Sequence, residues 1–464
     1  MLPWSRLQYL AHGAVGSALG VVVSELPESA SQGHHPRLLV RARTAVYPWL
    51  VSLGLLLAWA VVVLLGSGGV DATGNVVGTD FLGLYSGASV AANDPDTDVY
   101  RHDAVRERQQ ELVPRMDETE VVPYLSPPPA LLLYRPFIQL DFRAALLLWW
   151  SVNLAGWVAA LELTRRTMSR TAWSLRQLLV GAFWFAPFLI GFMYGQATGI
   201  VALVWAATLY FLARGRELAA GATLALLAFK PQLALGLALP LLARRRWTAL
   251  GGGAGLVIVI AGLSWLIWPG QWEHAAGSSS YAIEVITDDG YPTWGVLSIF
   301  GFWQLLLGPV LPGLVWPLTI AVSVLSLLGV VGAWQRIPWD PTTPSWRLAM
   351  AATAVLGLLL GIHLFSYDLA LAILAFWLVV DARELPARAD PALDGGSILG
   401  WVALLWGLAF FGPYLTFALQ SVLDILGLPP ITVGVTTLGF AAASVYLWKE
   451  ALASAPADAR RSAP

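Results

Sequence analysis

The sequence predicts an all-α protein that crosses a membrane many times, and three observations support that prediction. Hydrophobic residues make up 57% of the 464 residues and charged residues only 12%, against about a quarter charged in a typical soluble domain. The mean hydropathy is +0.66. The apolar residues come in runs of about 20, the length of helix that spans the hydrocarbon core of a bilayer. Because polar and apolar residues do not alternate within these runs, they favour helices over barrel strands.

About twelve apolar segments, with a range of about ten to thirteen, are predicted to be membrane helices. They cover residues 47–65, 144–163, 175–194, 198–212, 218–229, 233–242, 248–268, 314–334, 348–361, 365–380, 398–419 and 431–448. The segments 218–229 and 233–242 are too short to cross a bilayer and are separated by Lys230-Pro231-Gln232. We therefore expect them to form a hairpin, with Lys230 at its tip below the outer surface.

The distribution of arginines predicts which side each connection faces. The short connections carry most of them, including Arg165, Arg166 and the arginines at 244–246, whereas the loop 269–313 has no Lys or Arg. Basic residues favour the cytoplasmic side of a membrane protein. Both termini are therefore expected in the cytoplasm, and the large loops 66–142 and 269–313 are expected outside.

We expect one integral membrane domain over residues 46–449. Residues 1–45 are expected to form a cytoplasmic or interfacial lead-in, because their apolar part is short and rich in glycine. A cleaved signal peptide or a further membrane segment stays open for this stretch. Residues 450–464 are expected to be a disordered cytoplasmic tail.

Composition also excludes several kinds of site. The chain has no cysteine, which rules out disulfides, thiolate metal sites and cysteine nucleophiles. The sequence contains no phosphate loop, dinucleotide fingerprint, zinc-protease motif or serine-triad signature, and the net charge of −2 does not indicate a nucleic-acid partner. The aspartates at 94, 96 and 98 invite a metal interpretation, but Val99 and Val105 occupy the Gly and Glu positions of an EF-hand loop. A polar turn is expected there, with no metal and no cofactor.

Asp80 follows the first predicted span closely, in the stretch 78–100. A carboxylate at a membrane boundary either begins a solvated loop or acts as a general base for an acceptor hydroxyl. One carboxylate is sufficient for transfer if the leaving group is a phosphate, because a phosphate departs without a general acid. Both interpretations stay open on the residues alone.

Lys230 is one of two lysines in the chain, the other being Lys449. A lysine between two short apolar helices costs free energy unless it faces a cavity or a partner, or extends its amine to the interface. We favour a role in binding an anion. His363 and Tyr367 share one face if a helix continues through them, and His363 is either interfacial or catalytic. Gln196, between two outer helix ends, either binds a sugar or caps a helix.

Several short motifs occur in a recognisable order. They are Thr79-Asp80-Phe81 with Tyr85 and Ala88, a turn with Tyr100, Tyr124-Leu125-Ser126-Pro127-Pro128 with Arg135-Pro136, Gly195-Gln196, Lys230-Pro231-Gln232 closed by Arg244-Arg245-Arg246-Trp247, and His363 with Tyr367-Asp368. Together they resemble the family 87 membrane glycosyltransferases of the GT-C superfamily, which include mannosyltransferases of phosphatidylinositol mannoside synthesis. The resemblance covers roughly residues 47–380. It departs from the family at Leu125-Ser126-Pro127, where Tyr-Pro-Pro is usual.

The resemblance implies a GT-C-like fold and an inverting transfer of a sugar, usually mannose, from a polyprenyl-phosphate donor at the extracytoplasmic face of the plasma membrane. It implies no metal. By position, Asp80 is similar to the base that activates the acceptor, and His363 to a residue near the donor phosphate; Lys230 is added as a phosphate partner on the physical argument above. Candidate substrate-binding residues are Tyr85, Gln196, Tyr367 and Asp368. The expected partners are the donor, a lipid or glycan acceptor and the bilayer, with no nucleic acid.

Two other classes of function are compatible with the residues. A transporter or flippase of lipid-linked or polar solutes would also place charges around a cavity, and Lys230 with Asp368 would form a gating pair. A non-catalytic scaffold would tolerate replacement of Asp80, Lys230 and His363. Transporters tend to contain internal repeats, and none is visible here, which favours an enzyme. The sequence leaves open the sugar, the acceptor, the polyprenol length and the oligomeric state.

Overall fold

The computed structural model describes residues 35–118, 120–277, 293–384 and 395–456, and describes side chains from residue 50 onward and, in the last range, from residue 404 onward. Most of the expected lead-in, residues 1–34, and residues 457–464 of the expected tail lie outside the described residues, as do residues 278–292 of the second outer loop. A compact unit comprises Val51–Pro464. All contacts reported below lie within that unit.

Every regular element in the described residues is helical. The helices of the first half are α1 (His35–Leu65), α2 (Thr79–Asn93), α3 (His102–Leu112), α4 (Pro129–Tyr134), α5 (Phe142–Thr167), α6 (Leu175–Phe183), α7 (Ala186–Met193), α8 (Thr198–Ala213), α9 (Glu217–Ala225), α10 (Leu235–Ala243) and α11 (Trp247–Ile267). Residues 269–277 are also helical. The helices of the second half are α12 (Ile299–Leu307), α13 (Pro312–Gln335), α14 (Pro344–Leu359), α15 (Ala372–Ala382), α16 (Gly395–Ile425) and α17 (Val435–Ala453). The prediction of an all-α protein is confirmed.

Four helices in the described part of the chain are long and apolar enough to cross a membrane: α5, α11, α13 and the Leu404–Ile425 part of α16. The pair α6 and α7, bent by 75°, makes a fifth if it is counted as one span. Five more apolar helices have 10–17 residues. These helices support a membrane protein, whereas the expected count of about twelve membrane helices is not confirmed.

Two of the predicted spans are interrupted. The segment 175–194 was expected as one helix, but it breaks between α6 and α7, where Pro187 lies in the first turn of the new helix. Proline has no N–H and its ring clashes with the carbonyl four residues earlier, so the helix cannot continue through it. The segment 365–380 becomes helical only at Asp368, in a 3₁₀ turn (Asp368–Leu371) before α15. The condition under which His363 and Tyr367 would share one helix face, a helix that continues through both, is therefore not met.

The predicted hairpin is present. Helices α9 and α10 are joined through two 3₁₀ turns, Leu226–Phe229 and Pro231–Ala234, and Lys230 lies between them with a non-helical backbone (φ −141°, ψ 65°). The indole of Trp205 donates to the Leu233 carbonyl at 2.9 Å, which ties the turn to α8. Because Pro231 cannot donate a backbone hydrogen bond, the chain breaks next to Lys230 and its side chain leaves the helix at this point.

Contacts sort the helix connections into two groups. Asp381 is fully buried, pairs with the buried Arg347 and accepts backbone N–H groups of Arg170 and Thr171 at 3.0 and 2.9 Å. These residues belong to connections predicted to face inward. The connections predicted to face outward contact one another at the start of α2. This grouping agrees with the arginine distribution. Which of the two groups faces the cytoplasm stays a prediction.

Candidate active site

The start of α2 packs against the turn between α7 and α8 through two glycines. Gly78 and Gly195 have φ of 72° and 71°, a left-handed conformation that other residues adopt at a cost. A Cβ on Gly195 would lie 2.8 Å from the Phe81 side chain, so the two segments approach too closely for any larger residue. The backbone N–H of Asp80 donates to the Tyr194 carbonyl at 3.0 Å. This packing brings Asp80 next to Gln196.

A chain of polar side chains begins at Asp80. The Gln196 amide Nε2 donates to Asp80 Oδ2 at 2.6 Å, and Lys230 Nζ donates to Gln196 Oε1 at 2.6 Å. Lys230 Nζ also lies 3.6 Å from Asp368 Oδ1. An ionised carboxylate only accepts hydrogen bonds and an ammonium only donates them, so these two neighbours determine which end of the Gln196 amide faces each of them. Asp80 and Lys230 are thus separated by one glutamine side chain.

Lys230 is enclosed by groups that favour a positive charge. Its side chain is 14% exposed, and that of Asp368 only 4%. The ammonium also lies 5.6 Å from the centre of the Tyr367 ring, within the range of a cation–π interaction. The Asp368 carboxylate additionally accepts the Phe365 N–H at 3.3 Å, which fixes the turn before α15. The structure therefore gathers four of the predicted site residues, Gln196, Lys230, Tyr367 and Asp368, beside Asp80.

The Asp80 carboxyl, which lies outside the candidate membrane spans, has a raised pKa. Burial raises its pKa from 3.8 to about 6, against the opposing effects of the Gln196 hydrogen bond and the Lys230 charge. A general base works best when its pKa is close to the working pH. Asp80 is therefore ionised near neutral pH and binds a proton more strongly than an exposed aspartate does.

We expect the rate of the reaction to depend on the ionisation of Asp80. A base must be unprotonated to accept a proton, so kcat/KM, which reports the pKa values of the free enzyme, should fall as the pH decreases through about 6. The phosphodiester of a polyprenyl-phosphate sugar does not titrate in this range. The measurement is a pH–rate profile between pH 5 and 9, and a flat profile across the acidic limb would contradict the assignment of Asp80 as the base.

His363 lies in the turn between α14 and the Asp368–Leu371 turn, with its ring 4.9 Å from that of Phe365. Burial, with a further effect of the Lys230 charge, lowers the pKa of His363 to about 4. The imidazole is thus neutral at pH 7. Next to a phosphate, a neutral imidazole acts through a hydrogen bond and does not add positive charge.

Tyr85 is the predicted site residue that the structure does not bring into this cluster. Its hydroxyl donates to the Leu140 carbonyl at 2.8 Å, and its ring is only 2% exposed. The ring packs 5.8 Å from Phe81 and 5.6 Å from Phe142, between centres. These contacts attach α2 to the start of α5. A role for Tyr85 in substrate binding stays a prediction.

Two tyrosines near Asp80 were not predicted from the sequence. Tyr194 contributes the carbonyl that accepts the Asp80 N–H, and its ring lies 6.1 Å from that of Tyr367. Tyr134 is 1% exposed, and within the described residues its hydroxyl has no hydrogen-bond partner. Burial and the nearby Asp80 carboxylate raise the pKa of Tyr134. Tyr134 ends the apolar run of α4, where a tyrosine ordinarily belongs to the core, so no local pattern predicts a position near Asp80.

The aspartate-rich turn after α2 has its own hydrogen bonds. The Asp94 carboxylate accepts the Thr97 hydroxyl at 2.5 Å and the Asp96 N–H at 3.2 Å, so the predicted polar turn is confirmed. Among the residues described, no group of three His, Asp or Glu side chains is placed to hold a metal ion.

Comparison with known proteins identifies the family. The model of glycosyltransferase family 87 matches residues 124–366 of the 464, which is just over half of the chain. The chain belongs to glycosyltransferase family 87. Neither the search of curated proteins nor that of solved structures found a match. The predicted family resemblance is therefore confirmed, and membership makes the protein a glycosyltransferase, which disfavours a transporter.

The matched stretch and the polar cluster overlap. Gln196, Lys230 and His363 lie within residues 124–366, whereas Asp80 precedes that stretch and Asp368 follows it. Direct contacts join these two carboxylates to the matched part, through Gln196 and Lys230 respectively. The candidate active site of this family 87 glycosyltransferase is thus assembled from four separate parts of the chain, which contribute Asp80, Gln196, Lys230 and residues 363–368.

Proposed function

We propose that this family 87 glycosyltransferase moves a sugar, most simply mannose, from a polyprenyl-phosphate donor to a hydroxyl of a lipid- or glycan-linked acceptor, with inversion at the anomeric carbon. The observation that carries the proposal is the linked set Asp80–Gln196–Lys230. It combines a carboxylate of raised pKa with a largely enclosed ammonium only one side chain away. Transfer from a sugar phosphate requires these two groups, a base for the acceptor and a cation for the leaving phosphate.

Lys230 acts on the donor. Negative charge accumulates on the phosphate as the bond to the anomeric carbon breaks, and a fixed ammonium stabilises that charge most in a site with little water. Asp368 and the Tyr367 ring hold the ammonium in place. An ammonium has three N–H donors, so the contacts to Gln196 and Asp368 leave one for the phosphate. His363 is proposed to donate a further hydrogen bond as a neutral imidazole.

Asp80 acts on the acceptor. It removes the hydroxyl proton while the oxygen attacks the anomeric carbon from the face opposite the departing phosphate. One displacement of this kind inverts the configuration and needs no second carboxylate, because the phosphate leaves without protonation. Gln196 holds the Asp80 carboxylate in one orientation through its 2.6 Å hydrogen bond. Its own orientation depends on Lys230, so the base and the phosphate site are coupled.

The same proposal includes the membrane arrangement. We infer a GT-C-like protein of the plasma membrane with about twelve membrane segments, a count that includes the short apolar helices such as α8 and α14. The termini are assigned to the cytoplasm and the Asp80 cluster to the extracytoplasmic side, on the bias of arginines toward the opposite connections. Broken helices are tolerated at membrane depth where they are enclosed by protein, which suits the break at Lys230.

The donor class is tested with the purified full-length protein in lipid nanodiscs. Polyprenyl-phospho-[¹⁴C]mannose and GDP-[¹⁴C]mannose are supplied in parallel, with a lipid extract of the source membrane as acceptor. We expect labelled glycoside from the polyprenyl donor only, with one polyprenyl phosphate released per sugar transferred. Transfer from the nucleotide sugar alone, or movement of the donor across the bilayer without a new glycoside, would refute the proposal.

A further inference from the structure

A second polar site lies at the other end of α2 from Asp80. It is a cavity of about 690 Å³ between the start of α3 and the helical residues 269–277, within the volume typical of pockets for small ligands. Its lining includes Tyr100, His102, Arg106, Glu273 and His274. Asp80 is the second residue of α2 and the cavity begins just after its end, so the two sites are separated by about 20 Å, the length of this helix.

The wall of the cavity is held rigidly. The fully buried Gln271 donates through Nε2 to the carbonyls of Pro95 and Thr97 at 3.0 and 2.7 Å, and accepts the Val99 N–H at 3.4 Å. The Trp268 indole donates to the Ala91 carbonyl at 2.9 Å. These bonds lock the turn after α2 onto the segment that follows α11. A preformed site loses less conformational entropy when a ligand binds.

The polar groups of the cavity suit a neutral ligand with many hydroxyls. Arg101 and Asp103 balance one another's charge in an ion pair of 2.7 Å, and Asp98 has the ring of His274 as a neighbour, with Oδ2 3.6 Å from Nδ1. Arg106 differs, because its Nε is buried and, among the residues described, has no hydrogen-bond partner. A buried donor without a partner costs free energy until a ligand supplies an acceptor. Hydroxyl groups both accept from an arginine and donate to carboxylates such as Glu273.

We propose that this cavity binds the remote sugar units of a carbohydrate acceptor whose reacting hydroxyl lies at Asp80. This inference rests on the proposed function for the position of the reacting end, and the binding of a neutral oligosaccharide can be measured without any turnover. The cavity selects acceptors that already carry several sugars, because a single sugar at Asp80 cannot span the length of α2. It therefore sets acceptor length and leaves the donor site unchanged.

The binding test titrates the full-length protein in nanodiscs with mannotetraose and, separately, with maltotetraose by isothermal titration calorimetry. We expect at least one of them to bind, and Arg106→Gln and Glu273→Gln each to weaken it by about tenfold or more, as for loss of a hydrogen bond to a charged group. The control is Glu107→Gln, since Glu107 is exposed on the same helix and does not line the cavity. Failure of both tetrasaccharides to bind, or equal binding by all variants, would overturn the proposal.

The kinetic test compares methyl mannoside with mannotetraose as acceptors for polyprenyl-phospho-mannose. Wild type should show the lower KM for the tetrasaccharide, and the two cavity variants should lose that advantage while keeping the wild-type KM for methyl mannoside and the wild-type affinity for the donor. Equal KM values of the wild type for methyl mannoside and mannotetraose would overturn the role of the cavity in acceptor selection. If tetrasaccharide binds the cavity but no sugar is transferred, the proposed donor chemistry fails and the carbohydrate site stands. Thermal unfolding of both variants checks the fold, and Glu273→Gln decides if Arg106→Gln is unstable.

Discussion

The Asp80→Asn variant is expected to lose about 10³-fold in kcat, within the range of about 10² to 10⁴ that a positioned base contributes. Asparagine has the size of aspartate and its carbonyl oxygen still accepts the Gln196 amide hydrogen bond, so the packing at the start of α2 should persist. What it cannot do is take the proton of the acceptor hydroxyl. Donor affinity, measured by quenching of tryptophan fluorescence, should stay within about twofold of wild type, since the donor phosphate is assigned to Lys230.

The control for this variant is Asp424→Asn, because Asp424 is exposed near the end of the last candidate span and far along the chain from the cluster. Asp80→Asn should also abolish the acidic limb of the pH–rate profile in whatever activity remains. A well-folded Asp80→Asn protein that retains more than about a tenth of the wild-type kcat would contradict the assignment of Asp80 as base.

The Lys230→Gln variant is expected to lose about 10² to 10³-fold in kcat, the usual effect of removing one group that stabilises charge in the transition state. The donor Kd should rise less than kcat falls, because the charge on the phosphate grows as the bond breaks. Glutamine can still donate to Gln196. It leaves Asp368, at 3% exposure, without its counter-charge, so the melting temperature should also fall.

Further variants separate the effect of the Lys230 charge on kcat from its effect on the stability of the fold. The double variant Lys230→Gln/Asp368→Asn removes both charges, and should recover the melting temperature without recovering kcat. Lys230→Arg keeps the charge and should recover part of the rate. The control is Lys449→Gln, because Lys449 is the other lysine of the sequence and is exposed near the end of α17. Recovery of full activity by the double variant would show that Lys230 serves only to neutralise Asp368.

The sequence predicted which of the site residues lie on the same side of the membrane. The bias of arginines assigned Asp80, Lys230 and His363 to one side of the membrane, and the structure brings the connections of that side together. It also predicted the hairpin, because two short apolar pieces separated by Lys230-Pro231 cannot cross alone. Hydropathy did not distinguish a proline that starts a helix from one that interrupts a span, and the break before Pro187 was therefore missed.

The bridging role of Gln196 could not be predicted from its local sequence. It requires the turn at 194–197 to approach the start of α2 closely, and that approach depends on Gly195, where a Cβ would lie 2.8 Å from the Phe81 side chain. Tyr134 was not predicted because a tyrosine at the end of an apolar helix is interpreted as a core residue. Gln271 likewise lies in a loop that was assigned only to the outer side, although it is this side chain that docks the aspartate-rich turn. Such contacts between distant segments have no local pattern.

The central claim is a single displacement at the anomeric carbon, with Asp80 as the base and a polyprenyl phosphate as the leaving group. The most direct measurement is the anomeric configuration of the product, determined by NMR from a polyprenyl-phospho-mannose of known configuration. The account predicts the configuration opposite to that of the donor in every product molecule. Retention of the donor configuration would contradict it. Retention requires two displacements through a glycosyl intermediate, and the account has only one displacement, with Asp80 as its base.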